Sequence, residues 1–331
     1  MSDLRLSLRQ LTYFIKVAEH GSINRAAEEL RISPSAVSEM INGLETQFGA
    51  ALMLRRKGKG VLLTSLGAEV LPDIRALLAG ASDLQSTLHG SRSELSGRLV
   101  IGCMTTLSPF LLPGLITEFR NLHPAVDIQF VEGSQVQLQK HLQDGRCELA
   151  ILYDDDDLAP NFVREVLYKT PPKIVLPANH RLARSTTVNL RDLQGEPFIM
   201  IDLPPSRENV KAIFKTAGVT PNIRYVTSSI ELVRAFVARG FGYSILVQRP
   251  ANDISYEGFP IAVRPIKKHH FEIRVVLCRA AGRPSGRVQA FSEMCHRLLD
   301  NAGPSCWASK QEHAVVRCRK GQKKRWRRTI G

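Results

Sequence analysis

Paired cysteines are missing from this sequence. Its six cysteines (Cys103, Cys147, Cys278, Cys295, Cys306 and Cys318) are scattered, with no Cys-x-x-Cys spacing. That argues against a zinc ribbon or a disulfide framework and reads as six free thiols of a reducing compartment. Also missing is any uninterrupted apolar run near the ~18 residues that span a bilayer, so no membrane partner is expected. The start, Met1-Ser2-Asp3-Leu4-Arg5, has neither the basic cluster nor the apolar stretch of a secretory signal, which predicts a cytoplasmic protein. The nine histidines do not fall at metal-ligand spacing, and no Gly-x-Ser-x-Gly elbow, Walker loop or dinucleotide fingerprint occurs. These absences argue against an enzyme on an α/β scaffold, and no resident metal or cofactor is expected.

What is present is an ordinary globular composition, 331 residues with 44% apolar and 23% charged side chains, long enough for a small module and a two-lobed domain. The formal charge of +14 invites a polyanion, but its distribution matters more than its total. Residues 301–331 hold nine Lys or Arg against one Glu, a net +8, whereas residues 1–66 hold nine basic and six acidic side chains, a net +3. Bulk charge therefore does not establish DNA binding; local pattern has to.

Leu8, Leu11, Ile15 and Ala18 recur at helical spacing, with Phe14 beside them, until His20-Gly21 stops a first helix. Ser22 is the cap for a second helix to about Leu30, whose Ala26 and Ala27 permit close helix approach. After a turn at Arg31-Ile32, Ser33-Pro34 supplies an N-cap serine with proline at the first helical position. The third helix has a core face of Val37, Ile41, Leu44 and Phe48, stops at Gly49, and turns Ser35, Ser38, Glu39 and Asn42 outward. Short polar side chains allow a helix to approach base edges in a major groove. Residues 52–63 read as a β-hairpin wing carrying Arg55, Arg56, Lys57 and Lys59; cations there suit phosphate contacts, or simply a solvated turn. Thr64 can cap a long helix over 65–89. Along it Val70, Ile74, Leu77, Ala81, Leu84 and Leu88 step by four and three, the ~3.5-residue period of paired helices. Packing within the same chain is the alternative, and interior Pro72 is unfavourable to an unbroken helix in both cases.

The run Phe14-x-x-Val17-Ala18-Glu19-x-Gly21-Ser22-Ile23-x-Arg25-Ala26-Ala27, with Ile32-Ser33-x-Ser35-Ala36-Val37-Ser38, Leu44-Glu45, Gly49-x-x-Leu52-x-x-Arg55 and Leu63-Thr64-x-x-Gly67, closely resembles the winged helix-turn-helix of LysR-type regulators. The resemblance implies a DNA-binding transcription regulator whose helix from Ser33 enters the major groove of a roughly palindromic promoter site. It also implies backbone contacts near Arg55, and pairing of subunits into a homodimer or homotetramer through the helix after Thr64, with RNA polymerase as a further candidate partner. DNA contacts are accordingly expected from Ser22, Arg25, Ser33, Pro34, Ser35, Ser38, Glu39, Asn42, Arg55, Arg56, Lys57 and Lys59. Glu39 stands where the family often has arginine; a carboxylate there repels phosphate but accepts from cytosine N4.

Residues 90–97, rich in small polar side chains, read as a hinge. Beyond it a β-α-β-α-β succession over 98–152 predicts a parallel, doubly wound sheet that binds ligands beyond the carboxyl ends of its strands. A second alternation fills 163–247, and a strand at 271–278 with a helix to 299 completes the chain. The expected fold class is α/β: a winged helix-turn-helix (1–64), a linker helix (65–89), the hinge, and a two-lobed effector domain (98–300). Lobe I takes 98–162 and 268–300, and lobe II 163–267. Leu111-Leu112-Pro113, His123-Pro124-x-Val126, Glu132-Gly133, Gly145-x-x-Glu148-Leu149-Ala150-Ile151 and Arg239-Gly240-x-Gly242 also resemble the family's effector domain. They imply two lobes like those of periplasmic binding proteins, with a small-molecule effector between them.

Loops at the strand ends nominate Thr105, Thr106, Ser134, Gln135, Tyr153, Asp202, Thr227, Ser228 and Ser229 for that effector. Hydroxyls beside free N–H groups at helix starts suit a carboxylate or other small anion; plain N-capping is the competing explanation. Four consecutive carboxylates at 154–157 lack the alternate spacing of a calcium loop and read as a solvated turn. The basic tail 301–331 reads as a disordered extension, and an architectural DNA binder built on it is the rival to a sequence-reading regulator.

Overall fold

The computed structural model describes residues 6–56, 60–88, 95–155, 157–248, 250, 252–267, 272–282 and 284–299. Lys57 and Lys59, most of the hinge, Asp156, the tail 301–331 and the side chains of Leu84 and Leu88 lie outside the described residues.

Helix α1 (Leu8–His20) opens on a capping box between Ser7 and Gln10 and closes on Gly21 in the left-handed conformation. The hydroxyl of Ser22 accepts from the Arg25 N–H at 3.4 Å to start α2 (Ile23–Leu30). That of Ser33 accepts from the Ala36 N–H at 3.2 Å to start α3 (Pro34–Phe48), which ends at Gly49. Strands β1 (Met53–Arg56) and β2 (Gly60–Leu63) pair as the wing, and Thr64 Oγ1 accepts from the Gly67 N–H at 2.9 Å at the head of α4 (Ser65–Leu88). Phe14, Val17, Ala26, Ala27, Val37, Ile41, Leu44 and Leu52 make the core. Phe48, expected in that core, is 41% exposed at the last position of its helix.

Two backbone approaches fix the wing and linker on the helices. The Glu45 carboxylate accepts from the N–H groups of Leu52 at 2.7 Å and Met53 at 2.9 Å, tying α3 to β1. Gly67 lets α4 run against the wing, since a Cβ there would sit 2.0 Å from the Leu52 carbonyl oxygen. Helix α4 continues through Pro72, and it corrects the expected pairing seam: Ile74, 6% exposed, lies with Leu71 in the N-terminal core, with Val70 packed against that core. The step of four and three holds equally for a face covered by α1 of the same chain, and the exposed part of that period begins at Leu77, 51% exposed.

The second module runs β3 (Gly97–Met104), α5 (Ser108–Leu122), β4 (Val126–Gly133), α6 (Gln135–Gln143), β5 (Leu149–Tyr153), β6 (Phe162–Thr170), β7 (Lys173–Pro177), β8 (Pro197–Ile201), α7 (Ser206–Ala217), β9 (Asn222–Thr227), α8 (Ile230–Ala238), β10 (Ser244–Leu246), β11 (Ile261–Pro265), β12 (Ile273–Ala280) and α9 (Gly286–Leu299). Lobe I holds the sheet β4-β3-β5-β12-β6. Its first three strands are parallel as expected, but β12 runs antiparallel to both β5 and β6, so the sheet is mixed rather than all parallel. Strand β6 belongs to this sheet, and the chain therefore leaves lobe I after Thr170, not at residue 162; eight residues of β6 are held by β12, a partner a hundred residues later in the chain.

Lobe II repeats the plan. Strands β8 and β9 are parallel, β10-β7-β11 is antiparallel, and a parallel bridge between Phe198 and Tyr243 joins the two pieces. Alternation along β8 sends Phe198 and Met200 to one side, with Ile213 and Phe214 of α7, and Ile199 and Ile201 to the other, with Val233 and Val237 of α8, as a period of two requires.

Replacing Glu45 by Ala strands two backbone donors at the wing, and is expected to cost about 2 kcal/mol in urea unfolding, whereas Glu45→Gln retains one acceptor and costs less. A loss below about 0.5 kcal/mol for Glu45→Ala would show that water replaces the carboxylate at that joint.

Candidate functional site

The exposed side of α3 is built as the sequence suggests. Ser33, Pro34, Ser35, Glu39 and Asn42 are exposed and Ser38 is half-buried, while Val37, Ile41 and Leu44 face inward. The Ser33 and Ser35 hydroxyls lie 3.0 Å apart, so the cap also orders the first turn. Arg25, Arg55 and Arg56 are exposed. A contact not foreseen joins wing and helix: Arg55 Nη2 donates to Asn42 Oδ1 at 2.6 Å. The cation that the sequence assigns to the backbone thus orients an amide that it assigns to bases, and leaves the Asn42 NH2 free to donate.

Between the lobes lies a small, partly open cavity of about 20 Å³, room for roughly one water molecule. Thr106 and Tyr153 contribute from lobe I, and Ser206, Asn209 and Gln248 supply the other polar groups. Aliphatic side chains of lobe II, among them Ile201, Val210, Ile213, Ile230 and Ile245, form the rest of the wall. Gln248 Nε2 donates to the Tyr153 hydroxyl at 3.5 Å. Burial pushes the Tyr153 phenol up from its ordinary value, with Thr106 and Gln248 pulling the other way, and burial also raises Tyr168 beside it. Both phenols are therefore neutral donors. Thr106 is 5% exposed and its Oγ1 has no hydrogen-bond partner of normal geometry. It is not a cap, because the N-cap position of α5 is Leu107.

Of the nine residues nominated for an effector, only Thr106 and Tyr153 line this cavity. Ser134 forms a capping box with Gln137, and Ser229 caps α8 by accepting from the Leu232 N–H at 3.2 Å. Thr227 Oγ1 accepts from the Ser229 N–H at 3.2 Å. Capping explains these hydroxyls. Thr105 is exposed and reaches the Gly133 carbonyl at 3.4 Å, Ser228 is exposed, and Asp202 pairs with Arg207 at 3.1 Å. Gln135 is buried and donates to the Asp155 carboxylate. Sequence reasoning missed Ser206, Asn209 and Gln248. Gln248 sits just past β10, a strand end of the kind that nominated Tyr153, while Ser206 and Asn209 are one helical turn apart at the start of α7.

Among the described residues that line the cavity, none is Lys, Arg or His. The first turn of α7 offers its dipole, worth roughly 0.3–1 kcal/mol to an anion, and Glu208 already lies in that turn. Burying an unpaired carboxylate costs several kcal/mol.

Residues 8–68 match the bacterial regulatory helix-turn-helix protein, lysR family, and residues 92–300 match the LysR substrate binding domain. The chain belongs to the LysR family. Among relatives, the HTH-type transcriptional regulator CfxR of Cupriavidus necator is 29% identical over 311 residues, 94% of this chain and 92% of that protein. A hydrogen peroxide-inducible genes activator of Dickeya chrysanthemi is 28% identical over 242 residues, 73% of this chain and 79% of its own. The crystal structure of HinK, a LysR family regulator from Pseudomonas aeruginosa, superposes with TM-score 0.60 at 33% identity, covering 88% of this chain and 98% of that one. This LysR protein is thus a DNA-binding transcriptional regulator with a substrate-binding effector domain, and the family is one of regulators rather than enzymes. Among the described residues, no helix is long and apolar enough to cross a membrane.

The described thiols of this LysR regulator are poor partners for an oxidant. Cys103, Cys147, Cys278 and Cys295 are buried; burial raises all four, Cys147 and Cys278 to about 12, and the thiolate is the reactive form. Iodoacetamide at neutral pH is expected to leave these four unmodified in the native protein and to label them in urea, as read by peptide mass spectrometry. Rapid native labelling at any of them would contradict the burial described.

Proposed function

We propose that this LysR regulator acts in the cytoplasm, reads a roughly palindromic promoter site as a homodimer or homotetramer, and changes its grip when a small molecule occupies the interlobe cleft. The single observation that best supports the reading is the joint between Arg55 and Asn42, which couples a backbone-seeking cation to a base-seeking amide on one exposed helix face. Ser33, Pro34, Ser35, Ser38 and Glu39 share that face, flanked by Arg25 and Arg56. Subunit pairing is supported by α4, where the exposed Leu77 stands beside Ala76, Gly80 and Ala81 along an open groove of about 1310 Å³. RNA polymerase is the natural third partner of a protein held at a promoter. A ligand between the lobes can shift the equilibrium only by its differential affinity for the two arrangements.

Footprinting of genomic fragments selected by the purified protein is expected to show dyad-symmetric protection. Arg55→Ala should weaken binding to all DNA and reduce the salt slope by about 1. Because it also releases Asn42, it should blunt discrimination between sites. Asn42→Ala should reduce discrimination chiefly, and the two changes should couple in a double-mutant cycle by roughly 0.5–3 kcal/mol. Uniform, salt-sensitive binding without a preferred site would move the assignment to an architectural binder.

A further inference from the structure

We infer that α3 of this LysR regulator reads G·C pairs: Asn42, its side-chain carbonyl held by Arg55, selects guanine, and Glu39, one turn before it, selects the amino group of cytosine. The inference rests on the reading of α3 as the helix that enters the major groove and names the bases it accepts. Arg55 Nη2 donates to Asn42 Oδ1 at 2.6 Å. A guanidinium has donors only, so the atom it meets must be the amide oxygen, and the orientation of that amide is fixed by chemistry. A free asparagine reads adenine with both halves of its amide, one accepting from N6 and the other donating to N7. Here the accepting half is engaged by Arg55, and what is left for a base is an NH2 that can only donate.

The base edges in the major groove differ in how they meet such a group. Guanine offers two neighbouring acceptors, N7 and O6. Adenine sets an N6 donor beside N7, thymine sets a methyl group beside O4, and cytosine presents its N4 donor. Guanine therefore fits the donor-only amide best. Glu39 is the converse case: its carboxylate is exposed on the same side of α3 and can only accept, which suits cytosine N4, whereas on adenine the N6 donor lies next to the N7 acceptor. Residues three apart on a helix stand about 5–6 Å from Cβ to Cβ, and base pairs step by about 3.4 Å. The two side chains thus meet neighbouring or next-neighbouring pairs. Ser33 and Ser35 on that side lie 3.0 Å from each other, and a hydroxyl both donates and accepts, so they tolerate either kind of edge. Thr46 Oγ1, one turn beyond Asn42, donates to its main-chain carbonyl at 2.8 Å. The identity of the half-site then rests on one fixed donor and one fixed acceptor.

The test is a binding selection from a randomised duplex library with the full-length protein, repeated with Asn42→Asp, Glu39→Gln and Arg55→Ala. All three side chains are exposed, and circular dichroism checks that each variant keeps the helix content of the parent. The expected parent site carries in each half a G·C pair that responds to Asn42 and, next to it or one pair away, a C·G pair that responds to Glu39. Asn42→Asp, which has no donor, should move the first pair from guanine to cytosine. Glu39→Gln should move the second from cytosine to adenine, the base a glutamine amide reads. Arg55→Ala returns Oδ1 to Asn42, and should bring guanine and adenine at the first pair to within about twofold, from about fivefold or more in the parent. A second measurement needs no variant: 7-deazaguanine at the first pair removes N7 and should weaken the parent roughly fivefold, the loss of one hydrogen bond.

Adenine at the pair that responds to Asn42, or undiminished affinity for the 7-deazaguanine duplex, would overturn the guanine assignment while leaving α3 as the reading helix. A preferred site that none of the three variants alters would overturn both base assignments and leave the protein a sequence-selective regulator. If the parent enriches no site at all, the reading of α3 as a base-reading helix falls as well.

Discussion

The N-terminal module and lobe I meet on one guanidinium. Arg75 of α4, 15% exposed, donates through Nη2 to Glu19 of α1 at 3.0 Å and through Nη1 to the carbonyl of Asp144 at the end of α6. A buried arginine has five donors and no way to shed its charge cheaply, so its acceptors are held wherever it is held. Burial lowers its affinity for the proton and Glu19 restores part of it. The complement is Gly145, at φ +60°, where a Cβ would lie 2.7 Å from Arg75 Cδ; any other residue there would have to displace the Arg75 side chain. Glu19 also holds Lys16 at 3.2 Å, and Lys16 holds Glu29 of α2 at 2.6 Å. A chain of charges therefore runs from the helix-turn-helix to the edge of the effector domain.

That chain ends on helix α6, whose other end is fastened just past β5. Helix α6 starts at Ser134 and Gln135, with Gln135 fastened to Asp155 just past β5, and stops at Asp144 on Arg75. Nine residues of α-helix span only about 13 Å, so the two attachments are rigidly related. The repeated lobe plan explains why the cleft lies at that level. Thr106 and Tyr153 follow or end β3 and β5, and Gln248 follows β10, so carboxyl ends of strands from both sheets converge on one gap.

Much of this was legible because local rules decide it. Ser22 and Ser33 were readable as caps, and Gly49 as a terminator, since each acts on backbone within a few residues. The exposed face of α3 follows from the spacing of Val37, Ile41 and Leu44. What was not legible depends on partners distant in sequence. Strand β6 looks the same whether it joins lobe II or, as it does, pairs with β12. Val70 and Ile74 satisfy a seam and a core alike, and only the position of α1 chooses. Ser134 and Ser229 matched the expectation for an anion site because capping and anion binding use the same hydroxyl geometry. Glu45 stood inside the family motif, but its two bonds to the wing backbone form only when β1 is folded against α3.

The placement of cations separates the two sites more sharply than total charge does. A helix that reads DNA needs its positive groups at the margin, where Arg25, Arg55 and Arg56 are exposed, since solvated cations gain from phosphate without a burial cost. A closed cleft is the opposite case, because every ion carried inside loses its water. Four described arginines of the effector domain are ion-paired outside the cavity lining: Arg164 pairs with Asp154 at 3.2 Å, Arg207 with Asp202, Arg234 with Glu231 at 2.8 Å and Arg239 with Glu257 at 2.8 Å. The described cations thus fall into an outward-facing set beside α3 and ion-paired arginines in the effector domain, and the described lining of the cleft holds none.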